Sequence, residues 1–247
     1  MISELPHPLS VRRLVSYSSA VDMGSIVVDG VAAHLVDSIE KAIKIMDQLQ
    51  LPVLVDPELS LLNRLIPTVI VDGRMKKMVD SSGLDISIPI IGLGPGFTAG
   101  MDCRAVIETN RGPRLGRVIL EGTTEVDTGV PEQVQQHSSD RVLRAPGDGI
   151  LTTKVQITEK VTGGQMLAEV NNQKIIARFD GVIRGLLLNG SMVKKGMKIG
   201  DLDPRQNTEL ATRISEKALA IGGGVLEAIL SDAALREKLM CTRNETA

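Results

Sequence analysis

The chain has 247 residues, of which 43% are apolar but only 1% aromatic, and a formal net charge of −2. That length accommodates two modest domains with aliphatic cores, while the near-neutral charge and the lack of aromatic faces disfavour nucleic acid and anionic membrane as partners. The two cysteines, Cys103 and Cys241, have no paired spacing with His7, His34 or His137, and no apolar run reaches spanning length; no metal site, disulfide framework or membrane anchor is expected, and a cytoplasmic location is.

In chain order, residues 1–13 contain Pro6 and Pro8 and are expected to be irregular. Ile26-Val27-Val28 predicts a short strand before the turn at Asp29-Gly30. Asp37-Ser38-Ile39-Glu40 reads as a capping box with Asp37 as the cap. Behind it Ile39, Ala42, Ile43, Met46 and Leu49 recur at helical spacing until Pro52. Buried strands are predicted at Val53-Leu54-Val55, Val69-Ile70-Val71-Asp72 and Ile88-Pro89-Ile90-Ile91, with a short helix over 59–66 closed by Pro67. Further strands fall at Ala105-Val106-Ile107 and Val118-Ile119-Leu120. Apolar strands alternating with helices predict a largely parallel α/β sheet up to about residue 120. The polar stretch 121–140 reads as a linker.

Residues 145–202 hold two copies of one pattern, 32 residues apart. Asp148-Gly149-Ile150-Leu151 returns as Asp180-Gly181-Val182-Ile183, and Val161, Gly164, Leu167 and Val170 return as Val193, Gly196, Ile199 and Leu202. Short strands with tight glycine turns suit two interlocked β layers. The pattern resembles the barrel-sandwich hybrid of biotinyl and lipoyl domains, in which two quasi-symmetric halves meet at a hairpin carrying a modified lysine. The resemblance puts that hairpin at Asn171-Asn172-Gln173-Lys174, with Lys174 near its tip. Lys174 is then either the attachment point of a swinging cofactor or an unmodified turn lysine; the Met-Lys or Asp-Lys context of those families is absent. After the repeat, residues 214–221 predict a helix, Gly222-Gly223-Gly224 interrupts it, and residues 225–230 resume it before a Ser231-Asp232 cap. The glycine triplet serves either a close helix contact or an anion-binding turn.

Candidate chemistry lies at the predicted strand ends. Gly92-Leu93-Gly94-Pro95-Gly96-Phe97-Thr98-Ala99-Gly100 follows a strand, where successive N–H groups can cradle a phosphate. Its spacing is neither that of a Walker loop nor that of a Rossmann fingerprint. Glu108-Thr109-Asn110-Arg111-Gly112 ends the next strand. There Glu108 suits a base or hydrogen-bond acceptor, Asn110 a polar contact and Arg111 a fork for phosphate or carboxylate. A tight crossover turn and a strand-end ion pair are the competing structural readings. Asp72 and Lys77 flank another strand end. Cys103, beside the glycine loop, reads either as a group-transfer thiol or as a small buried hydrophobe. The ligand-binding set is therefore Gly92, Gly94, Gly96, Thr98, Gly100, Glu108, Asn110 and Arg111.

With these residues in view, the chain resembles the YqeB-type family of the selenium-dependent molybdenum hydroxylase system. The resemblance is carried by residues 8–20, 53–57, 92–100, 106–112, 141–146, 180–185, 198–205 and 214–230. It implies an accessory role in maturing a molybdenum hydroxylase client, with a molybdopterin-type or nucleotide phosphate ligand. The family begins with a further strand, a Gly-Ala-Gly-Asp-type loop and a helix; this chain starts after them, so a nucleotide site using that loop is not expected here. Pro113 stands where the family tends to have His, Asp127 replaces an Asn, and Gly73-Arg74-Met75 diverges. The fold expected is α/β: a Rossmann-like, partly parallel sheet over 1–140, an inserted barrel-sandwich-hybrid-like β module over 141–204, and C-terminal helices over 205–247 packing back on the sheet. The competing functions are a carrier modified at Lys174 and a ligand-free chaperone that docks on the hydroxylase. A homo-oligomer is compatible with all three.

Overall fold

A computed structural model describes residues 1–74, 88–127, 129 and 133–241. The chain is mixed α/β, with parallel and antiparallel sheets and C-terminal helices. It divides into two units: Met1–Leu59 with Val130–Ile214, and Ser60–Gly129 with Ser215–Ala247. The first 59 residues thus group with the duplicated module, and the last two helices with the stretch that starts at Ser60.

The first unit opens with β1 (Ile2–Glu4), α1 (Ala20–Met23), β2 (Ser25–Val28), β3 (Val31–Leu35), α2 (Ile39–Asp47) and β4 (Leu51–Val55). Their sheet runs β1-β4-β3-β2; β1 and β3 flank β4 in parallel, and β2 returns antiparallel to β3. Ile26, Val28, Ala33 and Val53 bury one face with Ala20, while Val27 between them is 63% exposed, as strand alternation requires. The expectation of an irregular start is corrected. Ile2 pairs with Val53 across the sheet, but three residues are too few to show a period. The α2 cap is also shifted by one residue. Ser38, not Asp37, accepts the Lys41 N–H on its Oγ at 3.3 Å, and Asp37 takes the Lys41 ammonium at 2.7 Å.

The second unit supplies β5 (Ile70–Asp72), β6 (Ile90–Leu93), β7 (Thr98–Ala99), β8 (Ala105–Ile107), β9 (Val118–Ile119) and β10 (Gly122–Thr123). β5, β6 and β8 are parallel neighbours, β9 closes the sheet antiparallel to β8, and β7 pairs separately with β10. The one sheet expected up to residue 120 is therefore two four-stranded sheets, one in each unit. Periodicity marks strands but not which strands share a ladder. The helix expected over 59–66 is a single 3-10 turn at Ser60–Asn63.

The duplicated module consists of β11 (Val142–Arg144), β12 (Gly149–Thr153), β13 (Lys160–Val161), β14 (Met166–Val170), β15 (Gln173–Ile176), β16 (Gly181–Leu186), β17 (Met192–Val193) and β18 (Lys198–Asp203), followed by α3 (Glu209–Thr212). The 32-residue offset lays β12, β13 and β14 onto β16, β17 and β18. The two sheets run β11-β18-β16-β13 and β15-β14-β12-β17. Each copy thus lends its two-residue strand to the sheet of the other. The exchange extends to the turns. Asp148 accepts the Lys195 N–H and Asp180 accepts the Gly163 N–H, both at 2.7 Å and at equivalent positions. Leu151, Leu167 and Val170 from one sheet and Ile183, Ile199 and Leu202 from the other fill a single apolar core.

In the second unit, α4 (Glu216–Ser231) and α5 (Ala233–Cys241) complete the fold. Ser215 caps α4 by accepting the Ala218 N–H, and Asp232 caps α5 by accepting those of Ala234 and Leu235, as the Ser231-Asp232 pair predicted. Ile221, Val225, Ala228 and Ile229 pack on Ile91, Ala105 and Ile107. The glycine triplet lies inside one continuous helix, which corrects the interruption expected there. A Cβ on Gly224 would stand 2.2 Å from the Gly116 carbonyl oxygen, whereas Gly222 and Gly223 have nothing within 4 Å. Of the two readings of the triplet, close packing is the one realised, and one glycine of three carries it. Among the described residues no single helix is long and apolar enough to cross a membrane.

Candidate functional site

The carboxyl ends of β5, β6 and β8 lie side by side: Asp72 pairs in register with Gly92, and Gly92 with Val106. The glycine loop leaves β6 here. Gly92 is a packing glycine, since a Cβ there would meet the Phe97 ring at 2.5 Å. Gly94, Gly96 and Gly100 hold φ of 75°, 104° and 87°, conformations open to glycine without strain. Much of the loop's N–H capacity is spent internally. Gly94 donates to Ile107 O at 3.0 Å, Thr98 to the Asp102 carboxylate at 2.9 Å and Gly100 to Cys103 O at 2.9 Å. Asp102, which the motif reading passed over, closes the loop.

The neighbouring loop is organised by Glu108, which is 1% exposed. Its Oε1 accepts the Asn110 N–H at 2.7 Å and its Oε2 accepts the Glu125 N–H at 2.8 Å. Asn110 Nδ2 donates to the Glu125 carboxylate at 2.6 Å. Both Glu108 oxygens therefore hold main chain, and the residue positions the loop. Arg111 forms an ion pair with Glu216 at the start of α4. The stretch expected to be a linker contributes Glu125 and β10 to this assembly. Nothing in the sequence flags Glu216, which is brought to Arg111 only by the packing of α4.

Asp72, 4% exposed, accepts the main-chain N–H of Arg74 at 3.0 Å and its guanidinium at 2.5–3.0 Å. Lys77 lies outside the described residues. Cys103 packs among Ile90, Phe97, Ala99 and Val106, and burial raises its thiol above the ordinary range, the state of a small hydrophobe. Lys174 sits on β15 opposite Glu169, one pair behind a two-residue turn at Asn171-Asn172, whose φ values are 47° and 62°. Asn171 Nδ2 donates to Asp148 O at 2.7 Å and pins that turn to the module. Among the described residues, no three of His, Cys, Asp and Glu converge to hold a metal ion.

Over 227 residues the chain is 44% identical to the uncharacterized protein YqeB of Escherichia coli K12. This likeness supports the YqeB-type family. The match covers 92% of the chain and 42% of YqeB, so the chain spans less than half the length of that relative. No family model matches. Among solved structures, an aspartoacylase family protein from Mesorhizobium loti aligns at 15% identity over 26% of this chain and 23% of its own, with a TM-score of 0.24. The ectoine utilization protein EutE (DoeB) from Ruegeria pomeroyi aligns at 21% identity over 34% of this chain and 27% of its own, with a TM-score of 0.25. A succinylglutamate desuccinylase/aspartoacylase from Rhodobacter sphaeroides aligns at 20% identity over 34% of this chain and 29% of its own, also at 0.25. At such TM-scores neither fold nor function is transferred.

Proposed function

We propose that this chain belongs to an accessory protein for the maturation of selenium-dependent molybdenum hydroxylases. In this reading the second unit takes a phosphate-bearing ligand of molybdopterin or nucleotide type at the ends of β5, β6 and β8. One observation carries the ligand half: two loops, one glycine-rich and one holding Arg111, leave adjacent parallel strands at a single sheet edge. Arg111 supplies the charge, exchanging Glu216 for the phosphate. Glu108 keeps the loop in shape, and Asn110 offers its amide to a polar ring edge. The parallel run is compatible with a Rossmann-like arrangement. We read the duplicated module as a barrel-sandwich hybrid acting as scaffold; the mutual exchange of β13 and β17 supports this.

Calorimetric titration of molybdopterin and of a cytidine nucleotide tests the reading. Arg111→Ala is expected to weaken binding about tenfold or more, and Glu216→Gln to tighten it severalfold by releasing Arg111. Affinities unchanged in both variants would count decisively against the site. An added mass on Lys174 in protein from native cells would favour the carrier reading instead.

A further inference from the structure

Arg144 on β11 and Lys198 on β18 stand directly opposite each other in register, an arrangement in which like charges destabilise a ladder. Both residues are exposed. Arg144 Nη1 donates to Gly196 O at 2.9 Å, which leaves the guanidinium further donors. Two more guanidinium groups act on the same lysine, those of Arg141, immediately before β11, and Arg184 on β16. The nearby acids are already engaged. Asp201 is paired with Arg141 at 3.1 Å and approached by Arg184 at 3.9 Å. Asp203 is held by Arg205 at 2.6 Å, and Asp140, next to Arg141, by His137.

Lys41 and Lys154 each pair with a carboxylate, at 2.7 and 3.0 Å, but the Lys198 ammonium has no such partner among the described residues. Desolvation lowers its pKa below the ordinary lysine range; Asp201 opposes this, and Arg141, Arg184 and Arg144 add to it. An amine among cations gives up its proton more readily, and the free amine is the nucleophile. The same cations attract anions. An exposed amine of this kind beside a guanidinium fork suits a carbonyl compound that carries a negative group: the amine meets the carbonyl carbon and the fork meets the anion.

We propose that Lys198 captures a small aldehyde bearing an anionic group, with Arg144 holding that group. Lys198 Nζ adds to the carbonyl carbon and a C=N bond replaces the C=O bond. The carbonyl oxygen leaves as water with the two protons of the neutral amine, and nothing is oxidised or reduced. The site lies in the first unit and is independent of the sheet-edge reading above.

The test treats the full chain with pyridoxal phosphate near neutral pH, traps imines with borohydride and locates them by peptide mass spectrometry, so that the readout names the lysine. Lys198 is expected to be labelled severalfold faster than Lys194 and Lys195, which are exposed in the turn before β18. Its lead should close above about pH 10, where ordinary lysines are themselves deprotonated. Pyridoxal, which lacks the phosphate, should label Lys198 more slowly. Arg144→Gln should slow its labelling at neutral pH, and Arg111→Ala should not. Labelling of Lys198 no faster than that of Lys194 and Lys195, or equal rates with the two aldehydes, would overturn the proposal. Both comparisons are made on the wild-type protein, so neither depends on a variant that folds. An unchanged rate in Arg144→Gln, or loss of the label in Arg111→Ala, would also count against it.

Discussion

Three consecutive glycines in α4 should respond to the same substitution with opposite signs. Ala in place of Gly222 or Gly223 meets nothing within 4 Å, so only helix propensity changes, and each variant should gain about 1 kcal/mol. Ala in place of Gly224 gains the same propensity but sets its Cβ 2.2 Å from Gly116 O and 2.9 Å from Ile107 Cγ2. Relief requires helix or loop backbone to move by about 1 Å, and overpacking of that kind costs up to about 3 kcal/mol. The net is a loss of about 2 kcal/mol. At about 2–4 °C per kcal/mol, Gly224→Ala should lower the melting temperature by about 4–8 °C, and Gly222→Ala and Gly223→Ala should each raise it by about 2–4 °C. Thermal unfolding followed by far-ultraviolet circular dichroism reads all three. If Gly224→Ala melts with or above the wild type, the close approach of α4 to Gly116 is wrong.

Three further outcomes are expected. Glu108→Gln places an amide donor against one of the two N–H groups its carboxylate now accepts, and should cost about 1–3 kcal/mol in thermal unfolding. The exposed Glu121→Gln serves as its control and should be neutral. In a Cys241→Ser background, Cys103 should react with a thiol reagent far more slowly in the native than in the denatured protein, because burial both shields the thiol and raises its pKa; equal rates would refute its burial. Burial alone would raise the Asp203 pKa, but the hydrogen bonds and charge of Arg205, with the charge of Arg184, outweigh it, and the folded value is lowered. A lowered carboxylate adds stability that is fully present above the unfolded value of about 3.9 and lost as pH falls through the folded one. Acid unfolding below about pH 4 should therefore be blunted in Asp203→Asn relative to the wild type.

Much of the local structure was legible because it rests on contacts within a few residues. Asp232 caps α5 through N–H groups two and three positions on, and the repeat shows itself by recurring Asp-Gly turns. The candidate site was legible only as strand ends carrying polar residues. Glu108 announced itself by being polar after an apolar strand, but its partner Glu125 lies 17 residues on, in a stretch that looks like a linker. Arg111 was visible, whereas Glu216 is 105 residues away and carries no signal of its own. The short strands β13 and β17 have two residues each, too few to declare a period, and the exchange between copies rests on them.

The sequence by itself determined the aliphatic cores, most of the strand-forming segments, the duplicated module and the α5 cap, since each depends on residue type and near spacing. Tertiary structure alone decided which strands share a sheet, that Glu108 serves main chain, and that one glycine of three identical neighbours has no room for a side chain. Gly222, Gly223 and Gly224 are the same residue with the same local preference; only the carbonyl of Gly116, more than a hundred positions earlier in the chain, distinguishes the third. Contacts of that range are fixed by packing, and packing has no local code.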